Sequence, residues 1–137
     1  MRFVTLSVAA VCAALTFSAD AASAQSWQTS AFSVALKSGE SNELTDLYFI
    51  ANCKSLLVAP PEAMILDGPQ GVTVSAPEAM AVPRFQQCSK PVKGAKLVLT
   101  AGQFEDPSDT LMTLRIRLKT RDGVRESSLS GVIQLFP

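Results

Sequence analysis

The sequence predicts an all-β protein: an antiparallel β-sandwich of about seven to nine short strands, immunoglobulin-like in general plan and closed by one disulfide. Three features point there. Apolar side chains alternate with small or polar ones at a period of two. Turn-forming residues interrupt the chain about every eight to twelve positions, and two cysteines remain in what reads as an exported chain.

The export reading comes from the first residues, MRFVTLSVAAVCAALTFSADAASAQS. One cation, Arg2, precedes an apolar run from Phe3 to Phe17, and Ala22-Ser23-Ala24 offers the small residues a signal peptidase requires. This is the layout of a secretory signal peptide, residues 1–24, cleaved after Ala24. The run is too short to span a membrane. Val11 stands before Cys12, where lipidation needs a small residue. Residues 25–137 then form a single domain, periplasmic or secreted, with no transmembrane segment and enough chain to bury a core.

The first strand is Phe32 to Leu36, where Phe32, Val34 and Leu36 alternate with Ser33 and Ala35. Ser38-Gly39-Glu40-Ser41-Asn42 breaks it. The run TDLYFIANC sets Leu47, Phe49, Ala51 and Cys53 on one face, so Cys53 is expected to point at the core. Ser55 to Ala59 and Ala63 to Leu66 follow, split by Pro60-Pro61. Asp67-Gly68-Pro69-Gln70-Gly71 is a turn, and Val72 to Ser75 another strand. Lys96 to Ala101 alternates again, before the polar loop Glu105-Asp106-Pro107-Ser108-Asp109.

The last element has the strongest signal. In LMTLRIRLKTRDGVRESSLSGVIQLF, Asp122-Gly123 is a favoured pair for a two-residue type I′ turn. Folding there pairs Ile116 with Leu129 and Met112 with Ile133. The other face would carry Thr113, Arg115, Arg117, Lys119 and Arg121, with Glu126 the only facing acid. The antibody-type pattern is missing, because Trp27 precedes both cysteines and Gln86, not Tyr, lies two before Cys88.

Cys53 and Cys88 read as a structural disulfide. The chain has no histidine, which removes the usual general base, the Ser-His and Cys-His pairs, and most zinc sites. What remains for catalysis is weak: Glu62 with Glu78, or Asp67 with either, and the adjacent pairs Ser89-Lys90 and Lys54-Ser55, whose members face opposite ways along a strand. No catalytic residue and no cofactor are expected.

Two features could serve binding. Pro-Glu-Ala-Met occurs at 61–64 and again at 77–80. Met64 and Met80 could offer thioethers to Cu(I), but such a site needs further soft ligands, so no metal is expected. Each proline reads instead as opening a short edge strand whose methionine packs inward. The second feature is charge. Residues 25–137 carry eleven basic and eleven acidic side chains, yet residues 37–83 hold two basic and six acidic and residues 84–126 nine and five.

Arg115, Arg117, Lys119 and Arg121 therefore form a candidate face for an anionic envelope component or an acidic protein partner. The alternative is a solvated face that guards against aggregation. Nucleic acid is disfavoured by the absence of net basic charge and of interleaved aromatics. Val132 to Phe136 could be an open sheet edge for strand addition. Lys54 and Lys90 each lie beside or near a cysteine.

The segments NCKSLLVAPPEAM, KPVKGAKLVLTA and KTRDG, in this order, resemble those of small exported bacterial proteins of uncharacterised function, over about Tyr48 to Pro137. That resemblance implies an export signal and a β-rich body. It carries over no activity and no functional residue.

Overall fold

Ten strands and no helix make up the described residues of this computed structural model, 30–84 and 88–137. The leader at 1–24, Cys12, Trp27 and Gln86 lie outside them. The first sheet contains β1 (Ser30–Lys37), β10 (Gly123–Phe136), β9 (Ser108–Thr120) and β5 (Glu62–Asp67), in that order. The second is built on β8 (Val92–Ala101), which pairs with β2 (Ser41–Leu47) along one edge. Its other edge pairs first with β7 (Glu78–Ala81), then with β6 (Val72–Ser75). A small hairpin, β3 (Ile50–Ala51) with β4 (Lys54–Ser55), stands apart.

The sheets are mixed rather than purely antiparallel, because β1 runs parallel to β10, from Ser30 beside Leu129 to Lys37 beside Phe136. Parallel neighbours need a long crossover, and here nearly the whole chain separates them. Both sheets contribute to one apolar cluster. Leu36, Leu114, Ile133 and Leu135 come from the first sheet and Leu97 and Leu99 from the second, all essentially buried. The period-two alternation seen in the sequence is what delivers these side chains to one face.

The terminal hairpin forms, but two residues out of the expected register. Ile116 faces Ser127 and Met112 faces Gly131, while Leu129 lies opposite Leu114. The turn centres on Arg121-Asp122, closed by the Thr120 hydroxyl donating to the Gly123 carbonyl at 2.9 Å. The positive φ falls on Gly123 (+121°), after the turn rather than inside it. A two-residue shift preserves which face each side chain occupies, whereas a one-residue slip would have inverted it.

Cys53 departs further from expectation. Asn52 and Cys53 have φ of 51° and 60° and form the two-residue loop between β3 and β4. Both central residues are left-handed, as a type I′ turn demands. Asn tolerates that conformation, whereas Cys rarely adopts it. Cys53 is therefore exposed at a hairpin tip rather than pointing at the core. The disulfide to buried Cys88 does form, with Cα atoms 5.5 Å apart. Beyond Ser55 the expected strand does not continue; Leu57 makes a single bridge to Thr120.

Both Pro-Glu-Ala-Met prolines precede strands, with β5 and β7 starting at Glu62 and Glu78. Their methionines turn outward, contrary to expectation, with Met64 42% and Met80 57% exposed. In β5 outward placement follows from the strand phase, since Ala63 and Ile65 pack against the core; in β7 Ala81 is the buried residue and Met80 stays exposed.

Candidate functional site

β9 is an interior strand of its four-stranded sheet, flanked by β10 and β5. Its even-numbered residues Met112, Leu114 and Ile116 are buried, so Arg115, Arg117 and Lys119 project from the outer face. Alternate residues on a strand stand about 7 Å apart, which sets three cations in a line. Arg121 lies beyond the strand in the exposed turn.

The flanking strands bring acids to this row. The corrected register sets Glu126 opposite Arg117, and β5 brings Glu62 opposite Arg117 from the other side. Glu126 lies 3.0 Å from Arg117 Nε and 3.9 Å from Arg115 Nε, and Lys119 Nζ donates to Glu62 Oε1 at 3.2 Å. Arg117 Nε is shielded from solvent and is not aimed for a hydrogen bond, so its pairing with Glu126 is an ion contact alone. These side chains are one-third to one-half exposed, and such pairs contribute about 0–1 kcal/mol each. Three cations on the strand thus meet two acids, with Arg121 beyond them in the turn and Asp67 opposite Thr113. Glu62 was missed in the sequence because its approach depends on β5 joining β9.

Met64 also lies on this face, opposite Arg115, while Met80 lies on the second sheet opposite Lys93. The two thioethers are therefore exposed on different sheets and do not converge on one ion. Met112, a further thioether, is buried. Among the described residues no cluster of three or more His, Cys, Asp or Glu could hold a metal.

Val132 to Phe136 is not an open edge. It is the middle strand of a three-strand stack, paired to Ser33–Lys37 on one side and, through Leu135, to β9 on the other. The edges of that sheet are β1 and β5 instead.

A cleft of about 340 Å³ opens where β2 ends, lined by Asp46, Tyr48, Val82, Arg84 and Leu118 among others. It holds one carboxylate, Asp46, which accepts a hydrogen bond from Lys96 Nζ at 3.1 Å. Glu43 lies 3.4 Å from the same ammonium, and the two acids, Asp46 first, raise the Lys96 pKa above its ordinary 10.5. The Tyr48 hydroxyl accepts from the Arg84 backbone N–H at 3.2 Å. Glu62 and Glu78 lie on different sheets and share no site. No family model, no curated protein and no solved structure matches this chain.

Proposed function

We propose that this chain is an exported, non-catalytic binding module of the bacterial cell envelope that docks an anionic partner on the outer face of β9. The observation that carries the reading is the row itself: Arg115, Arg117 and Lys119 in line on β9, continued by Arg121 in the turn, with Glu62 and Glu126 paired to them and Asp67 farther along opposite Thr113. A row of cations at fixed spacing on an interior strand steers an anion and fixes its register. The disulfide fits an oxidising compartment. The strand order, with the first strand parallel to the last and a central hairpin, supports an immunoglobulin-like sandwich as the scaffold. Salt-dependent retention on heparin should disappear when Arg115, Arg117, Lys119 and Arg121 are all changed to Glu; equal retention of the variant would refute the face.

A second reading, assembly by strand addition, is favoured by β1. That strand has no proline or bulge and no charge in the seven residues before Lys37, and its outward side chains Ala31, Ser33 and Ala35 are small. A flat neutral edge is a template for another strand. Placing Lys at Ala31 and Ala35 should then abolish any self-association seen by light scattering, and a chain that is monomeric at every concentration removes the idea.

A further inference from the structure

The topology sorts the charges by end. At one end, Gly39 N–H reaches the Ala101 and Gly102 carbonyls at 3.1 Å and Gly102 N–H the Gly71 carbonyl at 2.7 Å. These bonds gather the loops that carry Glu40, Asp67, Glu105 and Asp106, beside Asp109 at the start of β9 and a single cation, Lys37. The opposite end is held by the Cys53–Cys88 bridge, the Ser55 hydroxyl donating to the Lys93 carbonyl at 3.1 Å, and the Val58 N–H donating to the Lys119 carbonyl at 2.9 Å. It collects Lys54, Arg84, Lys90 and Lys93, all exposed, with Arg121 and Arg125 nearby and the acids Asp122 and Glu62, the latter paired with Lys119.

Arg125 stacks its guanidinium 5.1 Å above the Phe49 ring. Lys54, Arg84, Lys90 and Lys93 make no side-chain ion pair with any acid among the described residues, unlike the row on β9. A chain with no net charge is therefore a dipole with one cationic end.

Aliphatic side chains interleave with those cations. Val58 and Val82 are more than half exposed, Leu56 is exposed beside them, and Met80 lies exposed directly across from Lys93. Exposed apolar groups among cations gain nothing from a soluble polyanion, which has no apolar interior to receive them. A bilayer with anionic headgroups satisfies both: phosphates meet the ammonium and guanidinium groups, and the acyl boundary takes up the valines. The acidic end then faces away, so the dipole selects a single orientation.

We infer that the disulfide-bridged end is a peripheral docking surface for an anionic lipid bilayer, with Lys54, Arg84, Lys90 and Lys93 as headgroup contacts and Val58 and Val82 as shallow anchors. These residues are distinct from the β9 row, so the inference stands or falls separately from the heparin test above.

The experiment is co-sedimentation of the disulfide-intact protein with phosphatidylglycerol and with phosphatidylcholine vesicles. Binding is expected to phosphatidylglycerol only, and to weaken as salt shortens the Debye length to about 3 Å at 1 M. Lys54→Glu, Lys90→Glu and Lys93→Glu together should reduce partitioning about a hundredfold. Val58→Ser with Val82→Ser should weaken vesicle binding while leaving heparin retention unchanged. Far-UV circular dichroism checks folding, and Lys→Gln at the same three positions serves if the reversals misfold. Absence of vesicle binding at low salt overturns the inference. So does binding that survives the three lysine changes but is lost in Arg115→Glu with Arg117→Glu. Vesicle binding indifferent to the valine changes would overturn the bilayer as the occupant.

Discussion

Two glycines separate steric need from conformational need. A Cβ on Gly131 would lie 2.1 Å from the Phe32 carbonyl oxygen and 2.6 Å from the Phe32 ring, so β1 can lie alongside β10 only because that carbon is missing. Gly131→Ala should therefore destabilise by at least the upper end of the usual overpacking cost, about 3 kcal/mol, in a denaturant melt. Phe32→Ala in the same chain should not restore stability, because the obstructing carbonyl remains. Gly123 meets nothing within 4 Å, and its alanine variant should cost only the left-handed strain of about 1 kcal/mol. Lys96 gives the expected pH response. Asp46 and Glu43 raise its pKa on folding, so its contribution is complete below pH 10.5 and is lost as pH rises beyond that value. Urea midpoints measured on either side should fall at high pH in the wild type and fall less in Lys96→Met. A Lys96→Met profile as steep as the wild type would show that other groups govern the alkaline limb.

Strands were legible wherever side chains alternate, and register was not. Val72 to Ser75 emerged with its expected bounds, and β8 contains the alternation expected at Lys96 to Ala101. The hairpin expected from the sequence is present but displaced, because Asp122-Gly123 fits a type I′ turn and the backbone instead uses Gly123 as the positive-φ residue after the turn. Alternation cannot detect that error, since a two-residue shift keeps every side chain on its face. The shift matters for the candidate site because it moves Glu126 from opposite Lys119 to opposite Arg117. A double-mutant cycle distinguishes the registers. Arg117→Ala with Glu126→Ala should show a coupling of about 0.2–1 kcal/mol, and Lys119→Ala with Glu126→Ala essentially none. The reverse outcome would restore the simpler turn. Cys53 was misplaced for a related reason: TDLYFIANC looks like one strand, yet the chain reverses at Asn52-Cys53, where nothing in the periodicity marks a turn.

At the scale of the whole molecule the sequence disclosed the zero net charge and its uneven distribution along the chain, but not the dipole. Polarity between ends depends on which loops share an end, and the hydrogen bonds joining residues 39, 71 and 102 are long-range facts of topology. The disulfide acts at that same scale. It crosses the β3–β4 tip to the segment before β8, at the cationic end, and leaves the apolar cluster between the sheets untouched. Its sequence separation of 35 corresponds to an unfolded-state restriction worth about 4 kcal/mol. Cys53→Ser with Cys88→Ser should therefore lower stability by roughly 2–4 kcal/mol while the strand signal in circular dichroism persists below the new midpoint. Hydrogen exchange should locate the loss. Amides of the β3–β4 hairpin, which has only two paired positions, should exchange faster, whereas those of β8, β9 and β10 should fall only with the global stability. Uniform loss across all strands at native conditions would instead make the bridge a support of the core. Because Lys54 and Lys90 are carried on the two bridged segments, the same variant should also weaken vesicle binding, by loosening the cations rather than removing them.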